Sequence, residues 1–177
     1  MAIQLLRALT NVTVIATASQ PVTKAWCANL GAHHVLDHSQ ALSPQVAELG
    51  IGDPGYVFST ARSGERQADI LELLAPQGRF GYVDCPEELH VQAFQAKCIS
   101  LYPEDPFMRS WLQTIDVAEQ GEILRQIGEL VDAGKIRTTL TSILGAINAA
   151  NLPQAHRLIE SGTAVGKFGL EGFTAQP

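Results

Sequence analysis

Short apolar runs alternate with helix-length stretches along most of this chain, and that alternation restricts the fold more than any other feature. The first residues, Met1-Ala2-Ile3-Gln4-Leu5-Leu6-Arg7-Ala8-Leu9, read as an amphipathic helix leading into the strand-like run Val12-Thr13-Val14-Ile15-Ala16-Thr17. Ser19-Gln20-Pro21 reads as a cap followed by a proline suited to a first helical turn, for a helix over about 21–30 that ends at Gly31. A short strand is expected at His34-Val35-Leu36, then a helix opened by Ser43-Pro44 and closed near Gly50. Tyr56-Val57-Phe58-Ser59 is the next strand. The helix after it, about 65–74, buries Ile70, Leu71, Leu73 and Leu74 until Ala75-Pro76-Gln77-Gly78 stops it. Arg79-Phe80-Gly81-Tyr82-Val83 and Ile99-Ser100-Leu101 are further strands. The longest helix, near 116–133, spaces Val117, Ile123, Leu124, Ile127, Leu130 and Val131 along one face and ends at Gly134. Leu140-Thr141-Ser142-Ile143, a helix over about 148–161 and Lys167-Phe168-Gly169-Leu170 close the chain.

Strands joined by helices pair in parallel, with helices covering both faces of the sheet. The expected fold class is α/β, and the order helix-then-strand at the start is the second half of a βαβ unit. In a Rossmann-type dinucleotide-binding sheet the strand before that helix carries the glycine turn that holds the pyrophosphate. The expectation is therefore a Rossmann-type parallel sheet lacking its first strand and glycine-rich turn.

Composition narrows the function classes. With 46% hydrophobic and 17% charged residues the chain is globular. Its apolar runs fall far short of the roughly 20 residues that cross a bilayer. A formal charge of -6 with 12 scattered basic residues excludes nucleic acid as the expected partner. Cys27, Cys85 and Cys98 are far apart and odd in number, which reads as reduced thiols in a cytoplasmic protein. Asn11-Val12-Thr13 matches a glycosylation acceptor, yet it opens a strand and no signal segment accompanies it.

Several motifs are weaker than they look. Gly50-Ile51-Gly52-Asp53-Pro54-Gly55 matches G-x-G-x-x-G, but a phosphate turn follows a strand and opens a helix. Here the glycines follow a helix and lead into a strand, so a simple turn is the expectation. His33-His34-Val35-Leu36-Asp37-His38 gathers potential metal ligands, with strand alternation placing His34 and His38 on one face and His33 and Asp37 on the other. Too few ligands converge for a metal. A cofactor-edge contact for His38, at the carboxyl end of a parallel strand, suits the residue better. After the 12–17 strand stand Thr17, Ala18, Ser19 and Gln20, with no carboxylate to repel a 2′-phosphate and with Lys24 one turn into the helix. Two readings remain open there: a ribose or phosphate contact, or a helix cap with a solvated lysine. Cys85 and His90 are close in sequence, but spacing alone defines no nucleophile geometry.

Taken together, Ile3–Arg7, Val12–Ser19, Leu30–His38, Leu73–Gly81, Leu130–Arg137, Asn148–Leu152, Gly166-Lys167 and Leu170–Phe173 resemble the carboxyl-terminal half of the medium-chain dehydrogenase/reductase superfamily, in its zinc-type alcohol dehydrogenase-like, quinone oxidoreductase-related branch. The resemblance is collinear over nearly the whole chain. It implies an NAD(P)-binding domain over 1–137 and a tail over 138–177 that in relatives returns to a separate catalytic domain. It implies hydride exchange between NADP(H) or NAD(H) and a carbonyl, quinone or conjugated alkene. By position, Ser19 and Lys24 would meet the adenosine ribose or its phosphate and His38 the adenine edge. Ser59 and Thr60 would line the central crevice, with Tyr82, Val83 and Asp84 toward the nicotinamide.

The chain also departs from that pattern. Relatives carry an entire preceding domain, with most of the substrate pocket and, where present, the zinc ligands, so no zinc is expected here. Pro103-Glu104-Asp105-Pro106 interrupts a stretch that is aromatic and basic in similar proteins, and Gln20 stands where they often have arginine. In strand order 3-2-1-4-5-6 the absent strand is central. Each unsatisfied buried backbone group at its neighbours' edges would cost about 1–3 kcal/mol. The expectations are thus a carboxyl-terminal portion inactive alone, a homodimerising remnant using the edge near Ile99–Leu101, or one half of a split enzyme paired with an amino-terminal chain.

Overall fold

The computed structural model describes residues 1–84 and 86–173; Cys85 lies outside the described residues. The elements run α1 (Ala2–Leu9), β1 (Ile15–Thr17), α2 (Pro21–Asn29), β2 (His34–Leu36), α3 (Leu42–Leu49), β3 (Tyr56–Ser59), α4 (Gln67–Leu73) and β4 (Arg79–Tyr82). They continue as α5 (Val91–Gln95), β5 (Ser100–Pro103), α6 (Met108–Leu112), α7 (Glu119–Asp132), β6 (Leu140–Ile143), α8 (Asn151–Glu160) and β7 (Lys167–Gly169). The alternation expected from the sequence is present throughout. Two short helices, α5 and α6, were not expected, and the first strand begins at Ile15 rather than Val12.

Strands fall into three hydrogen-bonded sets: β1–β2, β3–β4–β5 and β6–β7. Within the larger set the strand order follows the chain order, β3-β4-β5. The larger set is parallel throughout, pairing Tyr56 with Arg79 and Ser59 with Tyr82, and then Arg79 with Ser100 and Tyr82 with Pro103. Residues divide into two compact units, Leu36–Arg125 and Met1–Val35 with the described part of Gln126–Pro177.

The Leu36–Arg125 unit is built around the β3–β4–β5 sheet. Phe80 on the central strand and Leu74 at the end of α4 are wholly buried, and Ile70 and Phe94 complete the cluster. Val57, Leu71, Tyr82, Leu89, Ile99 and Leu101 pack against it as partly buried neighbours. Alternation along β4 explains the choice: Phe80 and Tyr82 share one face, and their rings lie 5.3 Å apart. Gly78 permits the sharp entry into β4, since a Cβ there would sit 2.9 Å from both Ala75 O and Leu74 Cδ2. Lys97 Nζ donates to Glu72 O at 3.0 Å and to Leu74 O at 2.7 Å, satisfying carbonyls that the end of α4 leaves open. Among the described residues β3 is bonded to β4 alone, and its Tyr56 and Phe58 are 66% and 53% exposed.

In the other unit α1 is the amphipathic helix expected, and its one buried residue is polar. Gln4 donates to Arg137 O and accepts from Arg137 N, both at 2.9 Å, so its amide replaces a missing backbone partner and tolerates burial. The Arg137 guanidinium lies 5.5 Å from the Trp26 ring centroid. Farther along, β6 and β7 pair in parallel, with a register shift between Leu140 and Ser142. Asn148 Oδ1 accepts from the amides of Ala150 and Asn151 at the entry to α8. No helix among the described residues is long and apolar enough to cross a membrane.

Candidate functional site

The carboxyl ends of parallel strands are where an α/β sheet presents loops and unpaired polar groups to a ligand. In the Leu36–Arg125 unit two such ends meet in register, Ser59 of β3 beside Tyr82 of β4. Val83 N donates to Ser59 O at 3.2 Å, extending the ladder by one residue, and Glu104 N donates to Tyr82 O at 2.8 Å.

Beyond Ser59 the chain turns sharply. Arg62 adopts φ 59°, a left-handed conformation that side chains seldom take, and the next residue is brought inward. Ser63 is wholly buried. Its hydroxyl bonds Asp84 Oδ1, its amide donates to Asp84 Oδ2 at 2.7 Å, and its Oγ lies 2.8 Å from Ser59 Oγ. Gly64 lets the two loops close: a Cβ there would stand 3.1 Å from Glu88 O and from Pro86 Cβ. Gln67 adds a second stitch, accepting from His90 N at 2.9 Å and donating to His90 O at 3.4 Å.

Asp84 is held ionised by this arrangement. The Ser63 hydroxyl lowers its pKa most, burial opposes that, and backbone amides around it lower it further. The loop after β3 and the loop after β4 are thereby joined through one carboxylate. Ser63 was missed by sequence reasoning, because nothing in Ser59-Thr60-Ala61-Arg62-Ser63-Gly64 tells which hydroxyl turns inward.

The other site candidates are distributed as follows. Ser59 and Asp84 join the cluster; Thr60 is exposed and Val83 is exposed beside it, while Tyr82 is half-buried against Phe80. Ser19 lies half-buried between β1 and α2. The cap reading of Ser19 is corrected: the N-cap is Gln20, without a side-chain cap bond, and Pro21 occupies the first turn as expected. Lys24 lies one turn into α2, half-buried. His38 stands in a turn just past β2, so strand alternation stops at Leu36 before reaching it. That turn is organised by Asp37 Oδ1, which accepts from Ser39 N at 2.9 Å and Ser39 Oγ at 2.6 Å.

His33 is engaged inside its own unit. Nδ1 accepts from Val14 N at 2.8 Å and Nε2 lies 2.6 Å from Arg7 Nη1. The Gly50–Gly55 segment is a helix-to-strand turn, with Gly50 closing α3 in the left-handed conformation at φ 66°. Its backbone does not open a helix toward an anion.

The profile of a family described as zinc-binding dehydrogenase matches residues 30–168. The chain belongs to that family. It is 32% identical over 159 residues to a zinc-type alcohol dehydrogenase-like protein of Staphylococcus aureus (strain COL), covering 89% of this chain and 47% of that protein. A solved structure from Rhizobium etli CFN 42, assigned as a zinc-dependent alcohol dehydrogenase, matches with a TM-score of 0.93 and 50% identity over 98% of this chain and 51% of the other. A crotonyl-CoA carboxylase/reductase solved with NADP shares the fold at a TM-score of 0.72 and 16% identity, covering 97% of this chain and 46% of that one. The family, an oxidoreductase one within the medium-chain dehydrogenase/reductase superfamily, is the one the sequence resembles. The chain spans about half the length of the relatives it matches.

Zinc, which the family description implies, does not fit the described residues: no group of three or more His, Cys, Asp or Glu among them could hold a metal ion. The Ser59–Ser63–Asp84 cluster supplies ordered polar groups at the carboxyl ends of two neighbouring parallel strands.

Proposed function

We propose that this chain supplies the cofactor-binding portion of an NAD(P)H-dependent oxidoreductase acting on a carbonyl, quinone or conjugated alkene. The observation that carries the reading is the Ser59–Ser63–Asp84 cluster, polar and internally braced at the carboxyl ends of two parallel strands, in a member of an oxidoreductase family. When bound, the nicotinamide ring gives or accepts the hydride; the chain's own residues bind and orient it. Ser59 and Asp84 order the crevice wall, and Thr60, Tyr82 and Val83 flank it. Ser19 and Lys24 serve the adenosine ribose or its phosphate, and His38 the adenine edge. NADPH is the preferred form on charge grounds, because Lys24 offsets a 2′-phosphate and no carboxylate follows β1.

Titration with NADPH and NADH, followed by quenching of cofactor fluorescence and by thermal shift, tests the reading. Saturable binding, tighter for NADPH, is expected. Absence of any response, both from this chain and from the same chain combined with the amino-terminal half of a relative, refutes it.

A second reading concerns assembly. Among the described residues β5 is bonded only to β4, which leaves one edge of Ser100–Pro103 open. An open edge pairs readily with another strand, which favours a homodimer through this edge, alongside an amino-terminal partner as a further proposal. Sedimentation of the chain as a strict monomer at high concentration would count against the homodimer.

A further inference from the structure

The two sides of β5 are not alike. Ser100 N donates to Gly78 O at 3.0 Å and Glu104 N to Tyr82 O at 2.8 Å, so alternate residues turn their amides toward β4. Leu101 and Pro103 therefore face the open edge, where proline has no N–H to offer. Ile99 N is already spent on Phe94 O, at 3.0 Å. Within Ser100–Pro103 only Leu101 presents both a donor and an acceptor to that edge.

A two-fold axis that joins this edge to itself runs the two strands antiparallel, because every contact is returned. Leu101, able both to give and to take, then meets its own copy, which sets Pro103 opposite the second copy's Ile99. A strand about 13 Å long with one reciprocal pair of hydrogen bonds cannot alone bury the roughly 800 Å² per partner of a stable interface.

The chain leaving Pro103 carries the apolar surface that such a dimer needs. Phe107, Met108, Trp111 and Leu112 of the α6 segment are exposed, Trp111 to 83%. Phe107 and Trp111 are one turn apart, as are Met108 and Leu112, so the four share a face. Arg109 Nε lies 3.0 Å from Asp116 Oδ2 and Gln120 Nε2 donates to Pro106 O at 2.9 Å, which holds the segment in shape. At the opposite end of β5, Val91, Phe94, Cys98, Ile99 and Leu101 line a shallow apolar groove between α5 and the strand. Antiparallel pairing brings the carboxyl end of one β5, with α6 after it, to the amino end of the other, where that groove lies.

We propose that the chain forms a two-fold dimer in which α6 of each copy docks its Phe107–Trp111 face in the α5–β5 groove of the other. The inference rests on the homodimer reading above and names the surfaces that complete it.

Sedimentation equilibrium of the full chain gives the dimer dissociation constant. Trp111→Glu and Val91→Arg alter the two sides of the contact at positions exposed in the single chain, and far-UV circular dichroism checks that both fold. Each is expected to weaken self-association at least about tenfold, as loss of a buried anchor does. Cys98 is exposed in the single chain. Its alkylation by a maleimide, read peptide by peptide in a mass spectrometer, should slow as the concentration of unaltered chain rises and stay fast in Trp111→Glu. A short bismaleimide added to a mixture of unaltered chain and a Ser110→Cys, Cys98→Ser chain should join position 110 of one copy to Cys98 of the other. A dimer that either variant leaves unweakened, or that never yields this cross-link, overturns the docking and leaves the edge pairing standing. A strict monomer at every concentration refutes the homodimer reading and the docking with it.

Discussion

Phe80 belongs to the buried cluster of the Leu36–Arg125 unit, and replacing it tests whether the core and the site are coupled. Its side chain is wholly buried on the central strand. The Phe94 ring is stacked on it with centroids 5.6 Å apart at 15°, and the Tyr82 ring lies 5.3 Å away at 34°. Truncating a buried phenylalanine to alanine costs about 3–5 kcal/mol. Each well-placed ring pair accounts for about 0.5–1.5 kcal/mol beyond the area it buries. Against a typical stability of about 5–15 kcal/mol, Phe80→Ala removes a large share.

Urea unfolding followed by far-UV circular dichroism gives the loss directly. Phe80→Leu keeps most of the volume and stays foldable, so a cycle of Phe80→Leu, Phe94→Leu and the double variant isolates the ring pair. A coupling of about 0.5–1.5 kcal/mol is expected. Because Asp84 follows β4 by two residues, the Ser63 amide should also exchange faster with solvent deuterium in Phe80→Leu. A Phe80→Ala loss below about 1 kcal/mol, far under the expected range, would refute the reasoning, as would a coupling of zero.

Three further perturbations have defined signs. Gly166 has φ 74°, and a Cβ there would stand 2.5 Å from both Thr139 O and Thr141 Cγ2, so Gly166→Ala should cost about 2–5 kcal/mol in urea unfolding. Gln4→Ala removes both hydrogen bonds to Arg137 and should cost about 1–3 kcal/mol, with faster proteolytic cleavage near α1 as the readout. Asp84 has a folded pKa below its ordinary value of about 3.9. Its contribution is therefore present above the unfolded pKa and lost as pH falls through the folded one. Acid unfolding should lose that component in Asp84→Asn, and an unchanged acid midpoint would refute the assignment.

How far the sequence reaches is clearest where local and global preferences agree. β2, β3 and β6 are short apolar runs bounded by glycine, proline or polar turns, and their limits coincide with expectation. α5 and α6 are five residues each, too short for a 3.6-residue period to show against their neighbours. α7 has the expected periodicity, yet none of its residues is buried, and Ile123 and Leu124 are 46% and 63% exposed. Periodicity reports which face is apolar; it does not say that the face is covered within the chain. Gln4 fails in the opposite sense, since only the position of Arg137 makes its burial tolerable.

The site divides along the same line. Ser59 closes β3 and Asp84 stands two residues past β4, and position at a strand end is a local property that a sequence displays. Ser63 was not, because its role depends on a left-handed turn at Arg62 and on a carboxylate in a different loop. Its partner is fixed by the register of β3 against β4, which sets Ser59 beside Tyr82 and thus Asp84 within reach of the following turn. A one-residue slip of that register would carry Phe80 from the buried face to the open one and break the Ser63–Asp84 bond together. The buried ring that holds the strand in place is therefore also what holds the site's geometry, and neither can be changed without the other.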